Sequence, residues 1–264
     1  MASKVTMRVW RGDADRGEFR DYSVVAEEGE VVLDVLHRVQ ATQAGDLAIR
    51  WNCKAGRCGS CSAEVNGTPR LMCMTRMNIF PKNEPITVAP MKTFPIVRDL
   101  VTDVSFNYEM ARRVQPLAPR ELDPETEADG HYRMQQQDIE RVQEFRRCIE
   151  CFLCQNVCHV IRDHEENKRH FAGPRFMIRL AELAMHPLDT KKRAPMGLGC
   201  CNITKCCTEV CPEDIHITDN AIIPLKERQV DQRYDPILWL GRKLMRSRPA
   251  GGSPEQGLRA QDAR

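Results

Sequence analysis

Thirteen cysteines in this 264-residue chain constrain it more tightly than any hydrophobic pattern. Cys53, Cys58 and Cys61 read C-x4-C-x2-C, with Cys73 beyond them. Cys148, Cys151, Cys154 and Cys158 read C-x2-C-x2-C-x3-C, and Cys201, Cys207 and Cys211 read C-x5-C-x3-C-P. Both kinds of spacing suit iron–sulfur ligation. A disulfide framework is the poorer reading. Met1–Arg11 lacks the apolar stretch of a secretory signal, and the cytosol keeps thiols reduced. A structural zinc site, and with it a zinc-stabilised interaction module, is the bland alternative. Zinc favours paired C-x2-C knuckles, which x4 followed by x2 matches poorly.

Composition narrows the choice further. The net charge is only +2 and the charges are interspersed, so there is no electrostatic case for nucleic acid. No run approaches 18 apolar residues, the length of a spanning helix.

The first part, 1–108, reads as an α+β unit. Val5–Trp10 and Phe19–Val25 are short strand candidates around the Gly12–Gly17 turn region. Val31–Thr42 carries apolar residues at helical spacing. Ala63–Val65 and Leu71–Cys73 flank the turn signal Asn66-Gly67, and Pro85–Val88 is a last strand. A helix on a small mixed sheet, with a cysteine-rich loop after it, predicts a β-grasp, ferredoxin-like domain. Residues 109–245 read as an all-α domain of bacterial-ferredoxin type. Within it, 112–132 is polar and proline-rich, hence a linker or surface excursion. Met134–Arg147 and Arg175–His186 have helical periodicity, the latter after Gly173-Pro174. The tail 246–264 reads as disordered.

The first loop has the plant-type spacing of a [2Fe–2S] cluster, held by Cys53, Cys58, Cys61 and Cys73. Gly56 and Gly59 let its backbone reach positive φ and bring N–H donors close. In two-cluster ferredoxins the fourth cysteine of each run serves the other cluster. Cys148, Cys151, Cys154 and Cys211 are then the expected [4Fe–4S] set, leaving Cys158, Cys201 and Cys207 for the third site. Aligning the second run to the first puts Thr204 where a cysteine is missing. Three thiolates suit a [3Fe–4S] cluster; a [4Fe–4S] cluster with a water, hydroxyl or other ligand at one iron is the alternative. Cys200 and Cys206 fit no register and read as small buried apolar residues beside the ligands.

Taken together, Cys53–Cys73, Phe94–Val101, Cys148–Cys158, Gly173-Pro174 and Cys201–Pro212 resemble the iron–sulfur subunits of succinate dehydrogenase and fumarate reductase. The phrase CIECFLCQNVCH is closest to actinobacterial members. The resemblance implies an electron-transfer subunit of succinate:quinone oxidoreductase with no substrate chemistry of its own. Its implied partners are an FAD-containing flavoprotein that oxidises succinate and a membrane anchor, with the chain lying peripherally on the cytoplasmic face of the membrane. Single electrons would pass through the [2Fe–2S], [4Fe–4S] and [3Fe–4S] clusters to quinone. A fumarate reductase or another flavin-linked dehydrogenase is the alternative. His159–His164 lacks the proline and tryptophan that shape the quinone pocket in many relatives. The resemblance therefore leans towards menaquinone and an anchor carrying haem b. His159, Asn202 and Thr204 are the quinone-side candidates, with His164 considered beside them. Trp51 is read as packing, and Arg242, Lys243, Arg246 and Arg248 as a solvated basic tail that alternatively touches lipid headgroups.

Overall fold

A two-residue turn sets the register of the first half. The computed structural model describes residues 3–81, 83–191, 193–234 and 236. Asn66 and Gly67 both have positive φ, 48° and 76°, the geometry of a tight hairpin turn. This turn joins β3 (Ser62–Val65) to β4 (Thr68–Leu71). The second strand therefore resumes at Thr68 rather than at Leu71 as expected, because a two-residue turn leaves no room for a longer loop. Cys73 lies just past its end.

β1 (Ser3–Gly12) and β2 (Gly17–Ala26) pair antiparallel, and β5 (Ile86–Ala89) adds to β1 in parallel. The sheet order is β2-β1-β5-β3-β4. The helix α1 (Val32–Thr42) buries Val32, Leu33, Val35, Leu36 and Val39 against Met7, Val9, Ala63, Val65 and Val88. This is the expected β-grasp arrangement. A small hairpin, β6 (Ile96–Arg98) with β7 (Val101–Thr102), closes it. The Asp99 carboxylate there accepts from the Arg11 guanidinium at 3.0 Å and from Gly12 and Ala48 N–H groups, both at 2.9 Å.

The second half consists of short helices: α2 (Ser105–Arg113), α3 (Gln136–Gln143), α4 (Leu153–Val157), α5 (His159–Arg162), α6 (Pro174–Ala184), α7 (Cys206–Glu209) and α8 (Ile223–Tyr234). The helix expected over Met134–Arg147 is α3 continued by a 3-10 turn, Glu144–Arg147. Its core gathers Val142, Phe145, Ile161, Phe171, Met177, Ala181 and Ile215. Each such burial contributes roughly 1.5–3 kcal/mol for a large side chain. Arg242, Lys243, Arg246, Arg248 and the tail lie outside the described residues.

The proline-rich stretch 112–132 is irregular beyond α2, yet it is tied down. Asp189 is buried in an ion pair with Arg193 at 2.8 Å and accepts from Ala118 N–H at 3.0 Å. Glu127 is 2% exposed and takes both nitrogens of Arg120 at 2.6 and 2.7 Å, with the Asp123 N–H at 2.8 Å. Arg120 and the Arg133 N–H also hold the Glu127 carboxyl down at about 2. A lowered folded-state value means that this clasp is fully present above the ordinary carboxylate range and is lost as pH falls towards that value. Glu127→Gln is therefore expected to raise amide exchange across 120–133 by roughly an order of magnitude while the sheet stays protected. Unchanged exchange would remove the clasp from the account.

Candidate iron–sulfur sites

Backbone strain marks the cysteine loops. Among the described residues, nine non-glycine positions have positive φ, and Lys54, Glu150, Phe152, Ile203 and Lys205 lie inside these loops. Such conformations persist only where their surroundings demand them, and they cluster at functional sites. The pattern also repeats. Glu150 and Phe152 stand two and four residues after Cys148, and Ile203 and Lys205 stand two and four residues after Cys201. The helices α4 and α7 then begin at equivalent places. In this register Cys148 matches Cys201, Cys151 matches Thr204, Cys154 matches Cys207, and Cys158 matches Cys211. Cys206 falls opposite the buried Leu153.

The loop after α1 forms the first site. Ala55 and Arg57 N–H groups point at Cys53 Sγ from 3.4 and 3.3 Å. The Cys53 N–H reaches Cys58 Sγ at 3.5 Å, and the Cys73 N–H reaches Cys61 Sγ at 3.5 Å. Such donors favour negative charge on sulfur. Burial pushes the Cys61 thiol up to about 12, with Cys73 and Cys58 adding to it. Burial also opposes ionisation of Cys58, but hydrogen bonds from Ser60 and Cys53 outweigh it and bring that thiol down to about 6. Cys53 is exposed, and Trp51 beside it is 46% exposed, stacked edge-on to His37 at 4.7 Å under Lys54. The expected packing of Trp51 is thus a surface contact.

The other two sites cross the chain. One cavity is walled by Cys148, Cys151, Cys154 and Cys211 together with Phe152 and Arg175. Its neighbour gathers Cys158, Cys201, Cys206 and Cys207 with His159, Asn202 and Thr204. Cys211 therefore joins the first run and Cys158 the second. Burial lifts Cys151 and Cys158 to about 12 and Cys207 to about 11, and carries Cys154 well above its ordinary value. Thiols of this kind stay protonated at neutral pH until a metal displaces the proton. Thiolate donors in buried, largely apolar walls fit iron–sulfur clusters. Among the described residues no three His, Cys, Asp or Glu side chains converge on one ion-sized point. Thiolates that bind separate irons of one cluster need not converge in that way.

Cys200 and Cys206 are not buried as expected. Cys200 is exposed, and Cys206 is half-buried on the third cavity's wall, its Sγ 3.4 Å from Thr204 Oγ1. Cys200 ends a 3-10 turn, Leu198–Cys200, and Cys206 follows the left-handed Lys205 at the start of α7. Asn202 Nδ2 lies 2.9 Å from His159 Nε2, so these two quinone-side candidates meet at the rim with Thr204. His164 is exposed and stands 3.5 Å from Glu166.

The first and second sites share a wall. Gly59 has φ +66°, and a Cβ there would stand 2.7 Å from Cys151 Cα and 2.9 Å from the Ile149 carbonyl oxygen. The buried Ser62 hydroxyl donates to the Cys151 carbonyl at 2.8 Å. Asn156 Nδ2 donates to Glu64 at 3.0 Å, and its Oδ1 accepts from Thr93 N–H at 3.1 Å. Cys151 and Leu153 pack into the core of the first half. Sequence reasoning missed Ser62, Asn156 and Arg175, because nothing in their local pattern marks them.

Residues 6–109 match a family described as "2Fe-2S iron-sulfur cluster binding domain", and residues 144–215 match "4Fe-4S dicluster domain". The chain is similar to the fumarate reductase iron-sulfur subunit of Mycobacterium tuberculosis, at 31% identity over 75% of this chain and 80% of that one. It is 30% identical to a component of the CoM/CoB fumarate reductase of Methanothermobacter marburgensis over 90% of its own length, although it spans only 46% of that longer relative. A chain in the solved structure of the Mycobacterium smegmatis Sdh1 complex superposes with a TM-score of 0.85 at 65% identity, covering 90% of this chain and all of that one. On these grounds the chain belongs to the iron–sulfur subunits of the succinate dehydrogenase/fumarate reductase family.

Proposed function

We propose that the chain relays single electrons from the FAD of a succinate-oxidising flavoprotein to membrane quinone. Cys53, Cys58, Cys61 and Cys73 hold a [2Fe–2S] cluster. Cys148, Cys151, Cys154 and Cys211 hold a [4Fe–4S] cluster, and Cys158, Cys201 and Cys207 hold a [3Fe–4S] cluster. The clusters supply one-electron redox chemistry, and the chain itself supplies position, insulation and hydrogen bonds. The division into domains 1–108 and 109–245 belongs to the same reading.

The observation that carries it is the pattern of exposure along three adjoining sites. The first loop is open at Cys53, and the third cavity is open at its rim, where Asn202, Ile203 and Thr204 are exposed. The middle cavity is walled largely by buried residues and touches the first loop at Gly59. Electrons thus enter and leave at surfaces that partner subunits can cover. The chain serves as a peripheral subunit on the cytoplasmic face of the membrane, held by an anchor; among the described residues no helix is long and apolar enough to cross a membrane. His159–His164, which contains no tryptophan, supports menaquinone as acceptor and haem b in the anchor. The same residues serve an iron–sulfur subunit working towards fumarate reduction, and relatives of that name match the chain.

Low-temperature EPR on the anaerobically purified complex, with an iron count, tests this. About nine irons, a near-isotropic signal when oxidised and a [2Fe–2S] signal on reduction are expected. A colourless, zinc-loaded protein would end the proposal.

A further inference from the structure

We propose that Arg175 donates a hydrogen bond from Nε to the cluster of the middle site and that its positive charge raises that cluster's reduction potential. This rests on the reading that Cys148, Cys151, Cys154 and Cys211 hold a cluster. Arg175 is the second residue of α6, directly after Pro174, so the helix start aims it at the cavity that those four cysteines wall. It is only 9% exposed. One terminal nitrogen, Nη2, is satisfied by Glu150 at 2.6 Å. The Nε is buried and meets no acceptor among the described protein atoms.

A guanidinium donor left unsatisfied in the interior is costly, and native proteins rarely tolerate one. The cysteine sulfurs of the same cavity wall do not reach it, so the sulfides of a cluster held there are the acceptors that would satisfy it. The electrostatic consequence follows from charge alone. Each reduction adds one electron and one unit of negative charge to the cluster. A fixed positive charge beside it stabilises the reduced form more than the oxidised form. No proton is exchanged, because arginine stays protonated throughout. Glu150 opposes this effect, but its side chain is about half exposed and its field is better screened than that of buried Arg175.

The test is a redox titration of the intact complex followed by low-temperature EPR, on wild type, Arg175→Met, Arg175→Lys and Glu150→Gln. Arg175→Met should move the middle cluster to more negative potential. Arg175→Lys, which keeps the charge but loses the planar donor, should move it less in the same direction. Glu150→Gln should move it the opposite way. The first and third clusters serve as internal standards and should keep their potentials. A purely structural role for Arg175 predicts no such opposed pair of shifts. The proposal is overturned if Arg175→Met keeps its full iron complement and titrates as wild type. Should Arg175→Met assemble without the middle cluster, Arg175→Lys and Glu150→Gln decide it, and wild-type potentials in both overturn it. A wild-type complex with no middle-site signal would instead refute the underlying ligand assignment.

Discussion

Gly59→Val is expected to stall electrons between the first and second sites. The backbone there is left-handed, and the added side chain meets the Cα and N–H of Cys151 and the Ile149 carbonyl at 2.7–2.9 Å. These are backbone atoms of a cluster loop, so they cannot yield as a flexible side chain would. The two loops must separate or Cys151 must lose its place. Electron tunnelling falls steeply with distance, and ångström-scale misplacement elsewhere costs up to about 100-fold. After mixing with succinate, the first cluster should still reduce promptly, while reduction at the third should slow by roughly tenfold or more. Freeze-quench EPR separates the two. Equal rates in variant and wild type would show that the shared wall does not set the separation.

Thr204→Cys is expected to change what the third site holds. By backbone register Thr204 stands where Cys151 stands in the middle site, and its side chain already lines the third cavity. A thiolate there supplies the missing ligand, so the near-isotropic oxidised signal should disappear and iron should rise from about nine to about ten. Cys206→Ser provides the control. Its register matches Leu153 rather than a ligand, so the oxidised signal should survive, whereas Cys207→Ser should abolish it. Survival of the signal in Thr204→Cys would show that Thr204 is not aimed at the cluster.

Elements with a local signature were legible in the sequence. The Asn66-Gly67 turn, the apolar stripe of α1 and the cysteine spacings each encode their outcome within a dozen residues. The two cavities draw Cys211 to the first run and Cys158 to the second, the grouping that the two-cluster ferredoxin pattern suggests. What was hidden depends on contacts between distant segments. The stretch 112–132 looked like a linker because its anchors, Asp189 and Arg193, lie some seventy residues away. The strand expected at Val5–Trp10 left Arg11 out, yet its buried guanidinium pairs with the buried Asp99 and reaches the exposed Asp46 and the half-buried Tyr22 hydroxyl. Arg175 read as a helix-start residue because its environment is built by two other segments, around 148–154 and 211–217. The burial of Cys200 and Cys206 was misjudged because the burial expected of the ligands was extended to them; Cys200 ends a short 3-10 turn, and Cys206 follows the left-handed Lys205.

The exchange of Cys211 and Cys158 between the two runs also governs how such a protein can be built. With the proposed ligand sets, neither pocket would be completed from one stretch of chain, so loading one with iron would organise the far end of the other. Biogenesis should then approach an all-or-none event in this half of the molecule, with partly metallated chains scarce and prone to proteolysis. The same interlocking carries damage inward. On the proposed ligand sets, an oxidant that strips the third site through its open rim would release Cys158 and loosen the segment leading to Cys211, so a lesion near the surface would undermine the insulated centre.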